Sequence, residues 1–441
     1  MAKDGPVLDV VTESLCELHD RLGALRDGAV AGYIPQLALA DPDTFGLSLV
    51  SMYGHRYEAG DAELPFSIQS VSKPFVYALV LSLLGLDEVT RWVGTEPSGE
   101  GFNAISLEPD TGRPDNAMIN AGAIVTTALV PGATGAERFE RILECLSRFA
   151  GRRLDVDEAV HASEAETGDR NRALAYLMSS LGALPGPPSV VDTYFRQCAV
   201  RVTTGDLAVM ASTLANAGVN PVTGETVVSE TVACQVLAVM ASCGMYDASG
   251  AWLLRVGLPA KSGVSGGLIA VSPARFGVAV HSPPLDAAGT PVRGIEALRE
   301  LSERFGLHMM RHPTLSAPTI TEADHGTRTG LVAAQGALDF TAAERLLHGL
   351  SDVVPESGGW VVLDLLDVTS IEPSGASVLA SALARLEAEG HRVAVVVDPR
   401  VPTGARLTPW RRFPSREEAI AWCERGRSAG GPAASGPGPG R

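Results

Sequence analysis

The sequence predicts two successive domains that mix helices and strands, and three observations lead there. A chain of 441 residues exceeds what one hydrophobic core organises. Residues 5–308 combine amphipathic helical segments with short apolar strands, whereas residues 328–425 alternate strand and helix at short intervals. Between them, residues 309–327 bring Pro313, Pro318 and Gly326 among Ser, Thr and His in no periodic order, the composition of an interdomain linker.

The first domain, residues 1–308, reads as strand-rich at its edges and helical in its middle. Residues 46–53 alternate with the period of two that a half-buried strand requires, and residues 267–271 and 276–280 read as the arms of a hairpin. The segments 138–149, 169–181, 204–217 and 229–243 carry apolar residues at three and four spacing, which places one face of a helix in a core. The longest apolar run, residues 75–86, is too short to span a bilayer and reads as a buried helix.

The second domain, residues 328–425, reads as strand 330–336, helix 341–353, strand 360–365, helix 375–389, strand 391–397 and helix 415–424, a small α/β unit with a partly parallel sheet. Residues 426–441 are rich in Gly, Pro, Ala and Ser, and a disordered tail is expected there.

A formal charge of -16 repels both nucleic acid and an anionic membrane surface, which leaves small molecules and proteins as partners. The six cysteines form neither a CxxC pair nor a metal-ligand spacing, so thiols in a reducing compartment are expected. The opening residues lack the apolar core of a signal peptide, and a cytoplasmic protein is expected.

Three lysines stand against 32 arginines, and two of the three occur in Ser70-Val71-Ser72-Lys73 and Lys261-Ser262-Gly263. A guanidinium stays protonated at any usable pH, whereas burial or a neighbouring cation can lower a lysine until it accepts a proton. Spaced three apart, Ser70 and Lys73 share one side of a helical turn, so a neutral Lys73 could take the serine proton as attack begins. Lys261-Ser262-Gly263 precedes Gly266-Gly267 and an apolar strand, where an edge strand can present backbone N–H groups and a cation to an active-site serine. His308-x-x-x-His312 has helical metal-ligand spacing but lacks a third ligand and runs into Pro313, so no metal is expected. The Gly-rich segments lack the strand-to-helix context of a nucleotide loop, and the chemistry needs no cofactor.

The pairing of these motifs resembles the penicillin-recognising serine hydrolases, which implies a β-lactamase/transpeptidase-like α+β fold, an antiparallel sheet with a helical subdomain. Longer stretches resemble the serine-dependent glutaminase family. They are Tyr33-Ile-Pro-Gln-Leu-Ala38, Phe66-Ser-Ile-Gln-Ser-Val-Ser-Lys-Pro-Phe75, Met118-Ile-Asn-Ala-Gly-Ala-Ile124, Ser163-Glu-Ala-Glu-Thr-Gly-Asp-Arg-Asn171, Leu214-Ala-Asn-Ala-Gly218 with Pro221-Val-Thr-Gly-Glu225, Cys243-Gly-Met-Tyr-Asp247 and Leu258-Pro-Ala-Lys-Ser-Gly-Val264.

That resemblance implies hydrolysis of L-glutamine to L-glutamate and ammonia through an acyl-serine intermediate. It implies Ser70 as nucleophile, Lys73 as general base, the N–H groups of Ser70 and Val264 as oxyanion hole, and Tyr246 as proton carrier for the departing ammonia or the hydrolytic water. Lys261 would add positive charge beside Lys73. Tyr33, Asn120, Glu164, Asn171 and Tyr194 match the residues that hold the substrate. A carboxylate at Glu164 suits an α-ammonium, while amides and phenols suit an α-carboxylate. Read singly, Asn120 and Asn171 would be capping or turn residues, Glu164 a solvated charge, and the tyrosines packing residues. Glu166 and Asp169 read as structural, through an ion pair with Arg170 or Arg172.

In the second domain, Gly336-Ala-Leu-Asp-Phe-Thr-Ala-Ala-Glu-Arg-Leu-Leu347, Trp360-Val-Val-Leu-Asp-Leu365, Val368-Thr-Ser-Ile-Glu-Pro-Ser-Gly-Ala376 and Phe413-Pro-Ser-Arg-Glu-Glu-Ala419 resemble the STAS domain of sulfate transporters and anti-sigma-factor antagonists. There a serine followed by glycine at a helix start is a phosphorylation switch, and Ser374-Gly375 stands at that place; the alternative is that Ser374 caps the helix. Glu372-Pro373 departs from the antagonist pattern.

The resemblances imply a homo-oligomer, dimer or tetramer, with a docking or regulatory domain that meets a protein partner. Two other functions fit the same residues: a β-lactam or peptide serine hydrolase of the same fold, and a signalling protein that senses glutamine. A sensor needs the binding residues but not Ser70 and Lys73.

Overall fold

The structure, a computed structural model, describes residues 9–101, 104–311, 319–326, 328–355, 358–398, 407 and 409–428. The chain divides into two compact units, one comprising residues 12–303 and 307–311 and the other the rest.

In the first unit, β1 (Gly46–Ser51) and β2 (Arg56–Gly60) form an antiparallel hairpin. Three short strands, β3 (Phe66–Ser67), β4 (Asp155–Val156) and β5 (Val200–Val202), make a small sheet in the order β3-β5-β4. Strands β6 (Ala260–Ser262), β7 (Gly267–Ser272) and β8 (Phe276–His281) complete an antiparallel five-stranded sheet in the order β2-β1-β8-β7-β6. The predicted hairpin is β7–β8, with Leu268 opposite Val280 and Val271 opposite Gly277.

Both faces of that sheet are covered. The helix Thr204–Ala215, buried along its whole length, packs on β1, β7 and β8 with Ile269, Val271 and Ala279 in a common core. On the opposite face the helix Val292–Phe305 brings Gly294 against Leu268 and Val280. Double coverage explains why all of β1 is buried, where the sequence suggested a strand with one face in solvent. The helical part comprises the expected helices Gly135–Ala150, Asp169–Ser180 and Glu230–Cys243, together with Lys73–Leu84, Asn120–Leu129, Glu158–Thr167 and Val190–Cys198. Its ends follow local rules: Ser229 caps Glu230–Cys243, and Thr203 with Asp206 forms a capping box on Thr204–Ala215.

In the second unit, β9 (Ile320–His325), β10 (Thr329–Leu338), β11 (Trp360–Ile371), β12 (Arg392–Val396) and β13 (Arg411–Phe413) form a sheet in the order β13-β12-β11-β10-β9. All pairings are parallel except β9 with β10. The helices Phe340–Val353 and Pro373–Ala388 pack on each other and on the sheet. The helix Arg416–Ser428 covers Leu331, Val362, Ala394 and Val396 with Ala419 and Cys423.

Two boundaries differ from the sequence reading. The stretch 309–327 is not linker throughout: residues 309–311 go with the first unit, and 320–325 are the edge strand β9, a polar strand whose exposed face hid its pairing from a hydrophobicity pattern. The last helix continues to Ser428, so residues 426–428 are helical; the rest of the expected tail lies outside the described residues, as does His312. No single helix among the described residues is long and apolar enough to cross a membrane.

Candidate active site

Ser70 lies in a 3₁₀ turn, Gln69–Ser72, that runs directly into the helix Lys73–Leu84. Ile68 N–H donates to Val200 O at 2.8 Å, which anchors the entry to the turn on the small sheet. Gln69, the residue before Ser70, has φ +49, a left-handed conformation that a side chain adopts only under constraint. In a 3₁₀ turn, residues three apart eclipse, so Ser70 and Lys73 stack along one edge. Pro74 occupies the helix start, where its missing N–H costs nothing.

Lys73 is fully buried, and its Nζ donates to Asn120 Oδ1 at 2.7 Å. Asn120 opens the helix Asn120–Leu129 and gathers a network: its Nδ2 donates to Asn171 Oδ1 at 3.1 Å, and Tyr194 Oη donates to its Oδ1 at 3.4 Å. Tyr194 is also hydrogen-bonded to Cys198, one turn along the helix Val190–Cys198. Glu164 is buried near the end of the helix Glu158–Thr167, with its carboxylate hydrogen-bonded to the Gln69 side chain.

The opposite wall is β6 and the turn after it. Lys261 Nζ donates to Ser262 O at 2.8 Å and lies 4.2 Å from the centre of the Tyr246 ring; Lys73 Nζ is 5.9 Å from the same ring. Tyr246 also has a positive φ, +56, and its hydroxyl is hydrogen-bonded to Ser70. A Cβ on Gly244 would meet Ala260 O at 1.8 Å, so only glycine lets the end of the helix Glu230–Cys243 lie against β6. A Cβ on Gly263 would meet Val71 Cγ2 at 3.1 Å and Ile68 O at 3.2 Å, which shows how closely the turn holding Val264 approaches the Ser70 segment.

These walls enclose a cavity of about 240 Å³. All eight residues matched to the substrate pocket line it: Tyr33, Ser70, Asn120, Glu164, Asn171, Tyr194, Tyr246 and Val264. Tyr33, 51% exposed, stands at the mouth, while Lys73 and Lys261 lie behind the lining and have no exposed surface.

Burial dominates the electrostatics. It pushes Lys73 down to about 8 against the opposing pull of Cys198 and Glu164. It pushes Glu164 up to about 7, although the Gln69 hydrogen bond and Lys73 favour the carboxylate. Tyr246 rises to about 12 through burial, opposed by its hydrogen bond with Ser70. Lys261 is lowered well below the usual lysine range, first by burial and then by Lys73. The sequence reading had Lys261 add positive charge beside Lys73; in the structure it is burial that lowers Lys73, and Lys261 is itself driven towards the uncharged form.

The structure thus brings Ser70, Lys73, Tyr246 and Lys261 together with the whole predicted pocket. Asp169 pairs with Arg172 at 3.4 Å, as its structural reading expected. Gln69, Arg170 and Cys198 also line the cavity and were not singled out. The signal for Gln69 was its place beside Ser70, and for Cys198 its i+4 spacing from Tyr194; nothing local separates Arg170 from a surface arginine.

Residues 28–310 match the family model described as Glutaminase. The chain belongs to the glutaminase family. Among its glutaminase relatives, Glutaminase 1 of Bradyrhizobium diazoefficiens is 45% identical over 391 residues, covering 84% of this chain and 63% of that protein, so the chain spans under two thirds of that relative. The glutaminase of Corynebacterium efficiens is 42% identical over 393 residues, covering 88% and 93%. A crystal structure of Mglu matches with a TM-score of 0.68 and 44% identity over 89% of this chain and 99% of that one. The antiparallel sheet with its helices is therefore the fold of the glutaminase family, and this chain shares it. Residues 322–404 match a second model, described as Mlab, STAS domain, so a STAS domain follows the glutaminase domain. Within it Ser374 is not the cap: Glu372 is the N-cap of Pro373–Ala388 and makes no side-chain capping bond, while Ser374 lies inside the first turn with its Oγ buried and without a hydrogen-bond partner among the described residues.

Proposed function

We propose that this glutaminase-family chain hydrolyses L-glutamine to L-glutamate and ammonia through an acyl-serine formed on Ser70. The observation that carries the reading is a buried lysine lowered to about 8 that sits three residues from Ser70 and is tethered to a residue of the substrate cavity. Crystallisation of the relative Mglu in its glutamate form supports the substrate class.

Neutral Lys73 accepts the Ser70 proton as Oγ bonds to the side-chain amide carbon of glutamine, and the carbonyl oxygen takes up negative charge opposite the N–H groups of Ser70 and Val264. Collapse breaks the C–N bond; Tyr246 delivers its proton to the nitrogen and takes the Ser70 proton from Lys73 in its place, so ammonia leaves with Lys73 neutral and Tyr246 a phenol again. Water then attacks the ester carbon and gives a proton to Lys73; as the C–Oγ bond breaks, Lys73 hands that proton to Ser70 Oγ, which releases glutamate with Ser70 and Lys73 restored. Glu164 pairs with the α-ammonium, and Asn120, Asn171, Tyr33 and Tyr194 hold the α-carboxylate and orient the chain. Lys261, against the Tyr246 ring, sets the field in which that phenol moves its proton.

The same reading holds the protein to be a cytoplasmic homo-oligomer whose STAS domain docks a protein partner, with Ser374 as a phosphorylation point. No disulfide joins its six cysteines among the described residues, in keeping with a reducing compartment.

The test is ammonia and glutamate release from purified protein given L-glutamine, with L-asparagine and a chromogenic β-lactam alongside. Release from glutamine, abolished in Ser70→Ala while glutamine still binds, is the expected result. Turnover of the β-lactam alone would overturn the substrate, and unchanged glutamine turnover in Ser70→Ala would overturn the nucleophile.

A further inference from the structure

We propose that His281 is a positioning residue for this hydrolysis: from β8 it holds the turn that carries Val264 against the segment that carries Ser70. The inference rests on the hydrolytic reading above.

His281 ends β8 opposite Gly267, and its side chain is buried between two pieces of backbone that form the reacting end of the cavity. Its ring lies flat on Phe66, with centroids 3.7 Å apart and planes 3° from parallel. Phe66 starts β3, four residues before Ser70. On the other side its Nε2 is 3.1 Å from Ser265 O, the carbonyl that follows Val264. The turn is further closed by Gly263 N–H donating to Gly267 O at 2.8 Å and by Ser282 N–H donating to Gly266 O at 2.9 Å. One side chain therefore touches both the Phe66–Ser70 segment and the Val264 turn.

Each tie uses a different property of histidine. Stacking needs a flat ring, and the Ser265 carbonyl needs a donor. Burial pushes the imidazole down to about 4, so it is neutral with a single proton, and Nδ1 has no hydrogen-bond partner among the described residues. The proton therefore sits on Nε2, where the carbonyl accepts it. His281 touches neither the cavity nor Lys73, so its influence runs through the spacing of the Ser70 and Val264 amides. Those amides act on charge that develops only in the transition state, and a small displacement there lowers kcat and leaves KM nearly unchanged.

The experiment compares wild type with His281→Ala, His281→Leu and His281→Phe, each checked for folding by circular dichroism. Ala removes both ties, Leu keeps bulk without a stack, and Phe keeps the stack without the donor. The expected result is a kcat about 10-fold lower in Ala and Leu with KM within about twofold, and a rate between those and wild type in Phe, which keeps one tie of the two. If Ala fails to fold, Leu against Phe carries the comparison. Folded Ala or Leu with kcat within about twofold of wild type, Leu as fast as Phe, Phe as fast as wild type, or a loss confined to KM would overturn the proposal. A second readout does not depend on glutamine: the rate at which a fluorophosphonate labels Ser70. There an Oγ–P bond forms, fluoride leaves, the serine proton passes to Lys73, and the phosphonyl oxygen draws on the same two amides. Labelling about 10-fold slower in Leu than in wild type, with Phe between the two, supports the role even if glutamine is not the substrate, and equal labelling in Leu and wild type overturns it.

Discussion

Lys73 Nζ donates to Asn120 Oδ1 at 2.7 Å, so the buried amine that faces the serine turn is held by a neutral amide and not by a carboxylate. The difference decides its chemistry. A carboxylate at hydrogen-bond distance would stabilise the ammonium, whereas the amide orients the amine and leaves burial free to lower it. Asn120→Asp should therefore raise Lys73 by at least about one unit, moving the acid limb of the kcat–pH profile to higher pH and lowering kcat at pH 7 about 10-fold or more. A limb that stays in place would show that Lys73 is not the titrating base.

Lys73→Arg conserves charge and most of the bulk but cannot give up its proton. Ammonia release in this variant should fall at least about 100-fold at every pH between 6 and 9, because general-base help is removed outright. Substantial turnover at neutral pH would count against the proposed base.

On the proposed function, Glu164 couples substrate binding to stability. Its folded pKa is raised from 4.5 to about 7, chiefly by burial, so its contribution to stability is complete below about 4.5 and is lost as pH rises through about 7. At pH 8 the ionised group costs on the order of 1–3 kcal/mol, which Glu164→Gln removes. The variant should melt a few degrees higher than wild type at pH 8 and at the same temperature at pH 4, while its KM for glutamine rises about 10-fold or more through loss of the ammonium partner. Calorimetry at the two pH values checks the first part and steady-state kinetics the second.

Gly263→Ala introduces a methyl group 3.1 Å from Val71 Cγ2 and 3.2 Å from Ile68 O. The turn must then retreat by a few tenths of an ångström from the Ser70 segment. A kcat lower by about 10-fold with a largely unchanged KM is expected, because the contact misaligned serves the transition state. Equal loss in kcat and in melting temperature, with activity restored on cooling, would mean that the glycine serves folding alone.

Local pattern carried much of the architecture. The β7–β8 hairpin, the helices Gly135–Ala150 and Glu230–Cys243, and the strand–helix alternation of the second unit lie where apolar spacing and end residues put them. The edge strand β9 was missed because its residues are largely exposed and its identity depends on pairing with β10. At the site, the sequence exposed the motif residues but could not exclude surface roles for Asn120 or Glu164, since an asparagine at a helix start and an acid on a helix are ordinary there. Burial separates those readings: Glu164 and Lys73 sit inside, and their shifted ionisation follows from desolvation that no local spacing reports.

The sequence by itself determined the chemistry available to this protein: a serine and a lysine three residues apart, a second lysine before a glycine turn, and the blocks that resemble the glutaminases. Those follow from residue type and short spacing, which a chain carries before it folds. Only the tertiary structure decided what state those groups are in. Residues as far apart in sequence as Tyr33, Ser70, Glu164, Tyr246 and Val264 converge on one cavity, and dense packing behind it withdraws water from Lys73 and Lys261. Ionisation depends on that withdrawal, and withdrawal is a property of the assembled interior, not of any segment that enters it.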